Sequence, residues 1–332
     1  MESDMRRIHY YSYAELLPKD SFFSGKELDE VFLTVRFGLI DKPSKVLIKD
    51  ASYRFSDTIT MGMRDDDVLE LVYCKKIYPF GRLMLRVIEE KDRVTVQVNR
   101  LYYYLFRLRV ENVIPPGIHL RDWTYVRLIE GGFLSLHAAT IAPEPGNACV
   151  LLAPPNVGKS LTAFRAVKEG WYILSEDISI MDGDAVAYAV PYTSTLFHER
   201  SKLKYLGPLS YYVPLRERSI GELFKERILP RSKVRFLVFL EPSRSREVLT
   251  LDKDSQRDLI LERLCVINSI EFPYTSNPLL NARFYLTSTL NSLKALERRL
   301  QEAVIERIEA AFLIRSPSPL DFLLLIKEAI GA

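Results

Sequence analysis

The sequence lacks clustered cysteines. Its three cysteines, Cys74, Cys149 and Cys265, are far apart, and two of them lie inside apolar stretches. This spacing argues against a disulfide framework or a cysteine-rich metal site, and it favours free thiols, most of them buried. Such cysteine usage suits a reducing cytoplasm.

Long apolar runs and a charge excess are missing as well. No run approaches the roughly 20 residues of a membrane helix, and the charged stretch Met1–Arg7 has no apolar core of a signal peptide. The 46 basic and 43 acidic residues nearly cancel, so nothing calls for nucleic acid as a partner. With 332 residues, 48% of them hydrophobic, the chain can bury a full core. We expect a cytoplasmic protein that does not enter the membrane.

The first part of the chain alternates short apolar runs with polar turns, a pattern typical of strands. A turn at Pro115–Gly117 follows, since two prolines cannot continue a helix. We predict a β-rich N-terminal module over residues 1–115 and a second domain over 116–332. The strands predicted in the first module are Val31–Ile40, Lys45–Phe55, Val68–Lys75, Leu83–Glu89 and Val94–Val98.

Residues 153–160, APPNVGKS, are typical of a phosphate-binding loop whose first glycine is replaced by Ala153. An apolar strand precedes the loop and a helix-compatible run follows it. Asn156 tolerates positive φ and can preserve the turn, whereas Pro154 and Pro155 have no N–H, so the donors must come later. The nucleotide contacts predicted from this pattern are Asn156, Val157, Gly158, Lys159, Ser160 and Leu161.

Two strands, residues 133–142 and 148–153, flank the turn signal PEPGN and predict an antiparallel hairpin. If the turn is centred near Pro145, His137 lies opposite Ala153, at the start of the loop. A histidine in an apolar strand is also a common core residue, so two roles remain open for His137, one catalytic and one in packing.

Glu176 and Asp177 follow the strand that comes directly after the loop helix. Helical crossovers join parallel strands, so this pair should lie at the edge where α/β sheets bind ligands. The predicted metal ligands are Ser160, Glu176 and Asp177, and Asp177 is also the predicted base. A helix cap or a solvated turn is the structural alternative.

The remaining pattern predicts a strand over 235–240, helices over 252–267 and 278–310, a short strand over 311–314 and a last helix opened by Ser318-Pro319. The basic stretch Phe197–Lys204 (His198, Arg200, Lys202 and Lys204) could contact an anionic substrate or be a solvated loop. The predicted fold class is α/β (α+β), with a mixed sheet and flanking helices.

The ordered set LHAA, APPNVGKS and GWYILSED resembles the catalytic core of the HPr kinase/phosphorylase family. That resemblance implies a P-loop core similar to that of phosphoenolpyruvate carboxykinase, with His137 near the γ-phosphate, Lys159 and Ser160 on phosphate and metal, and Asp177 as base. Glu176 replaces the first acid of the family pair. The family's downstream glycine-rich signature is missing, and 205–210 read YLGPLS instead, so the family's protein substrate does not carry over.

Together these patterns predict a kinase that uses ATP and Mg²⁺ to phosphorylate a hydroxyl of a protein or small molecule. Two alternatives stay open: a P-loop ATPase that couples hydrolysis to conformational change, with Glu241 as its acid, and a nucleotide-sensing module without turnover. The sequence leaves the acceptor, the nucleotide and the oligomeric state open, a homo-oligomer being one option.

Overall fold

The computed structural model describes residues 7–12, 31–39, 53–64, 68–79, 81–91, 93–102, 118–190, 223–271 and 274–332. Several predictions lie wholly or partly outside these residues: most of the run Lys45–Phe55, the turn Pro115–Gly117 and the basic stretch Phe197–Lys204. The domain boundary near residue 115 therefore stays a prediction.

The first sheet is built from the N-terminal part of the chain. In β6 and β7 buried and more exposed positions alternate, as expected where one face of a sheet is covered. The strand order is β1-β2-β7-β6-β5-β4-β3. The strands are β1 (Arg7–Ser12), β2 (Val31–Leu39), β3 (Tyr53–Arg54), β4 (Ile59–Arg64), β5 (Val68–Ile77), β6 (Gly81–Glu89) and β7 (Arg93–Val98).

The second sheet contains the predicted site. Its strands are β8 (Phe133–Ala142), β9 (Ala148–Leu152), β10 (Tyr172–Ser175), β11 (Ile178–Asp182), β12 (Val186–Tyr188), β13 (Arg231–Pro242), β14 (Glu247–Leu251) and β15 (Ala310–Ser316). The pairings close on themselves, because β8, β9, β13, β12 and β11 form a ring in which each strand pairs with both neighbours. β10, β15 and β14 extend the sheet from this ring.

Helices cover both faces of the second sheet. Those in the described part of the chain are α1 (Ile118–Glu130), α2 (Lys159–Lys168), α3 (Arg257–Glu271), α4 (Pro278–Thr287), α5 (Leu290–Arg307) and α6 (Phe322–Ile330). Helices α2 and α6 share one apolar core with the sheet, and α3 and α5 share another on the opposite face. The predicted mixed α/β class is confirmed.

Two helix predictions are wrong. The helix predicted over 278–310 is two helices, because Ser288 adopts the left-handed conformation with φ 55° and ends α4. The last helix begins at Phe322 with Asp321 at its N-cap, so Ser318-Pro319 precedes it and does not open it. Strand β14 was not predicted; it is a short strand in which only the last residue, Leu251, is buried.

A third core joins the two sheets. It contains residues of β4 to β7 together with Trp123 of α1, Phe133 of β8 and Leu280 of α4. Beside it, the buried guanidinium of Arg283 contacts the carboxylates of Glu89 and Glu130 at 2.7 and 2.8 Å. The first sheet is thereby fixed to the helices that follow it.

All three cysteines lie among the described residues, and each is a free thiol. Burial raises the pKa of the Cys149 thiol to about 12. Within the part of the chain that the structure describes, no helix has both the length and the apolar character needed to span a bilayer.

Candidate phosphoryl-transfer site

The residues between β9 and α2 form a tight loop whose last residues contact its first residues. Asn156 has φ 65° and Gly158 has φ 122°, so Asn156 adopts the positive φ that its residue type tolerates. The Lys159 ammonium donates to the carbonyl oxygens of Ala153 at 2.6 Å and Pro154 at 3.3 Å. This side chain therefore ties the first turn of α2 to the end of β9.

The same loop is in close contact with the segment before α6. A Cβ added to Gly158 would lie 2.6 Å from the Cβ of Pro319, closer than real side chains approach each other. Glycine at 158 is thus required both by the backbone conformation and by this contact.

The other predicted nucleotide contacts lie where α2 begins. Val157 packs against the core that α2 and α6 share, and Ser160 and Leu161 stand in the first turn of the helix. The first N–H groups of a helix have no acceptor within the helix and lie at its positive end. That geometry suits a phosphate group.

The predicted hairpin register is confirmed. Ala138 pairs with Leu152 at the end of the antiparallel ladder of β8 and β9, so this register places His137 opposite Ala153, one residue beyond the last pair. On the other edge of β8, His137 pairs with Ile178 of β11. His137 therefore lies between the start of the loop and the strand that follows the acidic pair.

Glu176 and Asp177 are the two residues that connect β10 to β11, which follow one another along a single edge of β8; the register shifts just before them, between Ile173 and Ser175. Strand β10 is antiparallel to β8 and so runs in the direction of β9, as predicted. The Oδ1 atom of Asp177 is 3.5 Å from Nδ1 of His137, and the Asp177 side chain is 35% exposed. Glu176 is buried. Asp177 is thus the member of the pair that an incoming substrate can reach.

Three buried hydroxyl groups, those of Thr140, Ser175 and Ser179, hold the backbone on both sides of Glu176 and Asp177. The sequence patterns did not indicate them. The Ser179 hydroxyl donates to the Ala138 carbonyl at 2.9 Å and lies 2.7 and 2.6 Å from the hydroxyls of Thr140 and Ser175. Ser175 also accepts from the Thr140 backbone N–H. Short polar residues on both sides of an acidic pair in an apolar run were the available signal.

Asn268 of α3 is a further residue near His137 that the sequence patterns did not indicate. Its Oδ1 accepts from the His137 backbone N–H at 3.2 Å, and its Nδ2 donates to the Ser135 carbonyl at 3.0 Å. In an antiparallel strand, alternate residues direct their N–H and C=O groups to opposite edges. The amide thus covers the edge of β8 just beyond the end of β9. The signal was an asparagine on the apolar face of α3, four residues after Leu264.

Hard oxygen donors that suit magnesium are present at the site. Ser160 offers a hydroxyl, and Glu176 and Asp177 offer carboxylates. Magnesium commonly takes one or two carboxylates and completes its shell with water and phosphate oxygens. In the described residues no group of three or more His, Cys, Asp or Glu side chains could hold a metal ion by itself. A magnesium ion at these residues would therefore complete its shell with water or with phosphate oxygens.

Glu241, the acid required by the ATPase alternative, is held by two arginines. Arg315 contacts its carboxylate at 3.1 Å, and Arg263 contacts the other oxygen. Partial burial acts to raise the pKa of Glu241, but hydrogen bonds and positive charge from both arginines lower it below the ordinary value. Glu241 and Pro154 line one cavity of about 260 Å³. The carboxylate that contacts His137 is nevertheless that of Asp177.

Comparisons with known proteins add little. No family model matches the chain, and no curated protein matches it in sequence. A solved structure, the Hpr(Ser) kinase/phosphatase from Coxiella burnetii, is similar over 59% of this chain and 96% of its own, with 9% identity and a TM-score of 0.30. A likeness this weak supports no conclusion about fold or mechanism.

Proposed function

We propose that this protein is a kinase that uses ATP and Mg²⁺ to transfer the γ-phosphoryl group to a hydroxyl of a protein or small-molecule acceptor. One observation carries the proposal. The strand pairing places the start of the loop, His137 and the connection that contains Asp177 side by side on adjacent strands of one sheet. A phosphate-binding loop and an accessible carboxylate that can act as base are parts that phosphoryl transfer uses.

The side chains divide the work by position. The N–H groups at the start of α2 and the Lys159 ammonium would hold the β- and γ-phosphates. The Asp177 carboxylate would accept the proton of the attacking hydroxyl. The His137 imidazole, 3.5 Å from Asp177, would orient that carboxylate. Most of the rate enhancement would come from positioning and charge complementarity.

Ser160, Glu176 and Asp177 would hold the magnesium ion. When bound, the ion supplies positive charge to the phosphate oxygens. Because Glu176 is buried and Asp177 is partly exposed, we assign the contact nearer the acceptor to Asp177.

Lys159→Ala tests the phosphate contact. We expect it to abolish nucleotide turnover, because it removes both the charge and the bonds that close the loop. Lys168→Ala is the matched control, since Lys168 lies exposed on the same helix. Turnover is measured with radiolabelled ATP. Equal turnover in both variants would contradict the assignment.

Asp177→Asn tests the base. We expect transfer to fall about 10²–10⁴-fold while nucleotide affinity is retained, since the amide cannot accept the proton. Asp184→Asn is the control, because the Asp184 side chain is exposed and pairs with Arg307 at the surface. Transfer kinetics and nucleotide titrations provide the readouts. Full transfer activity in Asp177→Asn would exclude the role of this carboxylate.

The acceptor can be found by incubating the protein with γ-labelled ATP and a lysate separated into proteins and small molecules. Label on one fraction, absent with Lys159→Ala, identifies the acceptor class. Hydrolysis without transfer would support the ATPase alternative instead. Binding without turnover would support the sensing module.

A further inference from the structure

Asn268 ties α3 to the backbone of the residue whose side chain contacts Asp177. It is buried, with 3% of its surface exposed. Its amide bridges the Ser135 carbonyl and the His137 N–H, as a neighbouring strand would. The position of His137 on β8 is therefore set by α3 as well as by the sheet.

The orientation of the amide is fixed by its surroundings. Nδ2 donates to the Tyr125 hydroxyl at 2.8 Å, and this hydroxyl in turn donates to Oε1 of Glu297. A flipped amide would place Oδ1 against the Ser135 carbonyl, so that two acceptors would meet. Tyr274 donates to the other carboxylate oxygen of Glu297 at 2.8 Å. Glu297 is thereby anchored from both sides.

The two faces of β8 are covered by different helices, and the His137 imidazole lies on the face opposite α3. Leu136 and Ala138 belong to the core beneath α3, and Ala139 belongs to the core beneath α2. Because successive side chains alternate, the imidazole of His137 lies on the α2 side, where the phosphate loop begins. Asn268 holds the backbone at the strand edge and leaves the imidazole available to the site.

We infer that Asn268 is a positioning residue for phosphoryl transfer, acting through the backbone of His137. The inference rests on the proposed function for its kinetic consequence only. Its structural part, that the amide sets the environment of the imidazole, can be measured without activity.

The test compares Asn268→Ala with Asn277→Ala. Asn277 is equally buried and also bonds to backbone N–H groups, but its side-chain bonds go to α4 and to Asp122 of α1, and in the described part of the chain none goes to β8. We expect Asn268→Ala to lower kcat about 10–100-fold, because small displacements of reacting groups have effects of this size, with little change in the KM for ATP. Asn277→Ala, corrected for its folded fraction, should retain kcat within about 2-fold.

The imidazole NMR signal of His137, assigned with His137→Gln, gives the second readout. Its chemical shift should change in Asn268→Ala but not in Asn277→Ala. If wild-type protein transfers no phosphate, the proposed function fails, and this signal decides only whether Asn268 sets the environment of the His137 imidazole. An unchanged His137 signal would overturn the inference.

A milder pair of variants covers the case in which Asn268→Ala does not fold. Tyr125→Phe and Tyr274→Phe each remove one hydroxyl from Glu297, but only Tyr125 bonds to Asn268. We expect Tyr125→Phe alone to move the His137 signal. Equal shifts in both variants, or no shift in either, would overturn the inference.

Discussion

Gly158 is the loop residue that tolerates substitution least. Its φ of 122° costs an ordinary residue about 1–2 kcal/mol, and the contact with Pro319 leaves no room for a methyl group. We expect Gly158→Ala to lose more stability than this and to lose nucleotide binding. Urea unfolding and nucleotide titration measure the two effects.

Gly146→Ala is the control for this prediction. Gly146 also has positive φ, but no described atom outside its chain neighbours lies within 4 Å of an added Cβ. Gly146→Ala should lower the free energy of unfolding only by the cost of an alanine at positive φ, about 1–2 kcal/mol, and should keep its nucleotide affinity. Similar losses of affinity in both variants would argue against a special role for the Pro319 contact.

The sequence was most informative where residue type dictates backbone conformation or charge. Asn156 with positive φ and the alignment of His137 with Ala153 both followed from local rules. Asn268, Ser175 and Ser179 did not, since their partners lie on other elements and no local pattern names them. Whether the aligned residues transfer phosphate stays a prediction.

Among the elements, the break between α4 and α5 shows why apolar spacing is an incomplete guide. Leucines recur at helical intervals across it, yet Ser288 leaves the helix with φ 55°. Serine has no strong preference for this conformation, so residue type does not predict the break. Strand β8, by contrast, was predicted to the residue because its ends carry glycine and proline turns.

Ser288→Gly should stabilise the protein. Glycine is the preferred residue at a left-handed helix end. The substitution relieves backbone strain but increases the entropy lost on folding, and we expect a net gain in stability of about 0.5–1 kcal/mol. Ser292→Gly, at an exposed position in the first turn of α5 whose hydroxyl donates to the Thr289 carbonyl, should instead lose about 0.5 kcal/mol. Thermal unfolding of both variants measures the difference. A loss of stability in Ser288→Gly would mean that its serine has a role beyond the turn.

At the scale of the whole molecule, the two sheets share a core. Trp123 lies in the core between them, and Trp171 lies in the core beneath α2. These are the only tryptophans of the chain. Because the shared core and the Arg283 ion cluster join both parts, we expect one cooperative transition.

Single-tryptophan variants, Trp123→Phe and Trp171→Phe, report on the two cores separately. In each variant we expect the urea midpoint measured by tryptophan fluorescence to equal the midpoint measured by circular dichroism. Two separate midpoints would show that the sheets unfold independently.

The amide of Asn268 also bears on self-association. Strand β8 is buried along its whole length, and an apolar strand with an open edge is a template on which another chain can add a strand. Asn268 and α3 close the part of that edge that β9 leaves uncovered. The same amide therefore protects the chain against intermolecular β-pairing whenever α3 is docked, and loosening of α3 would expose an aggregation-prone edge.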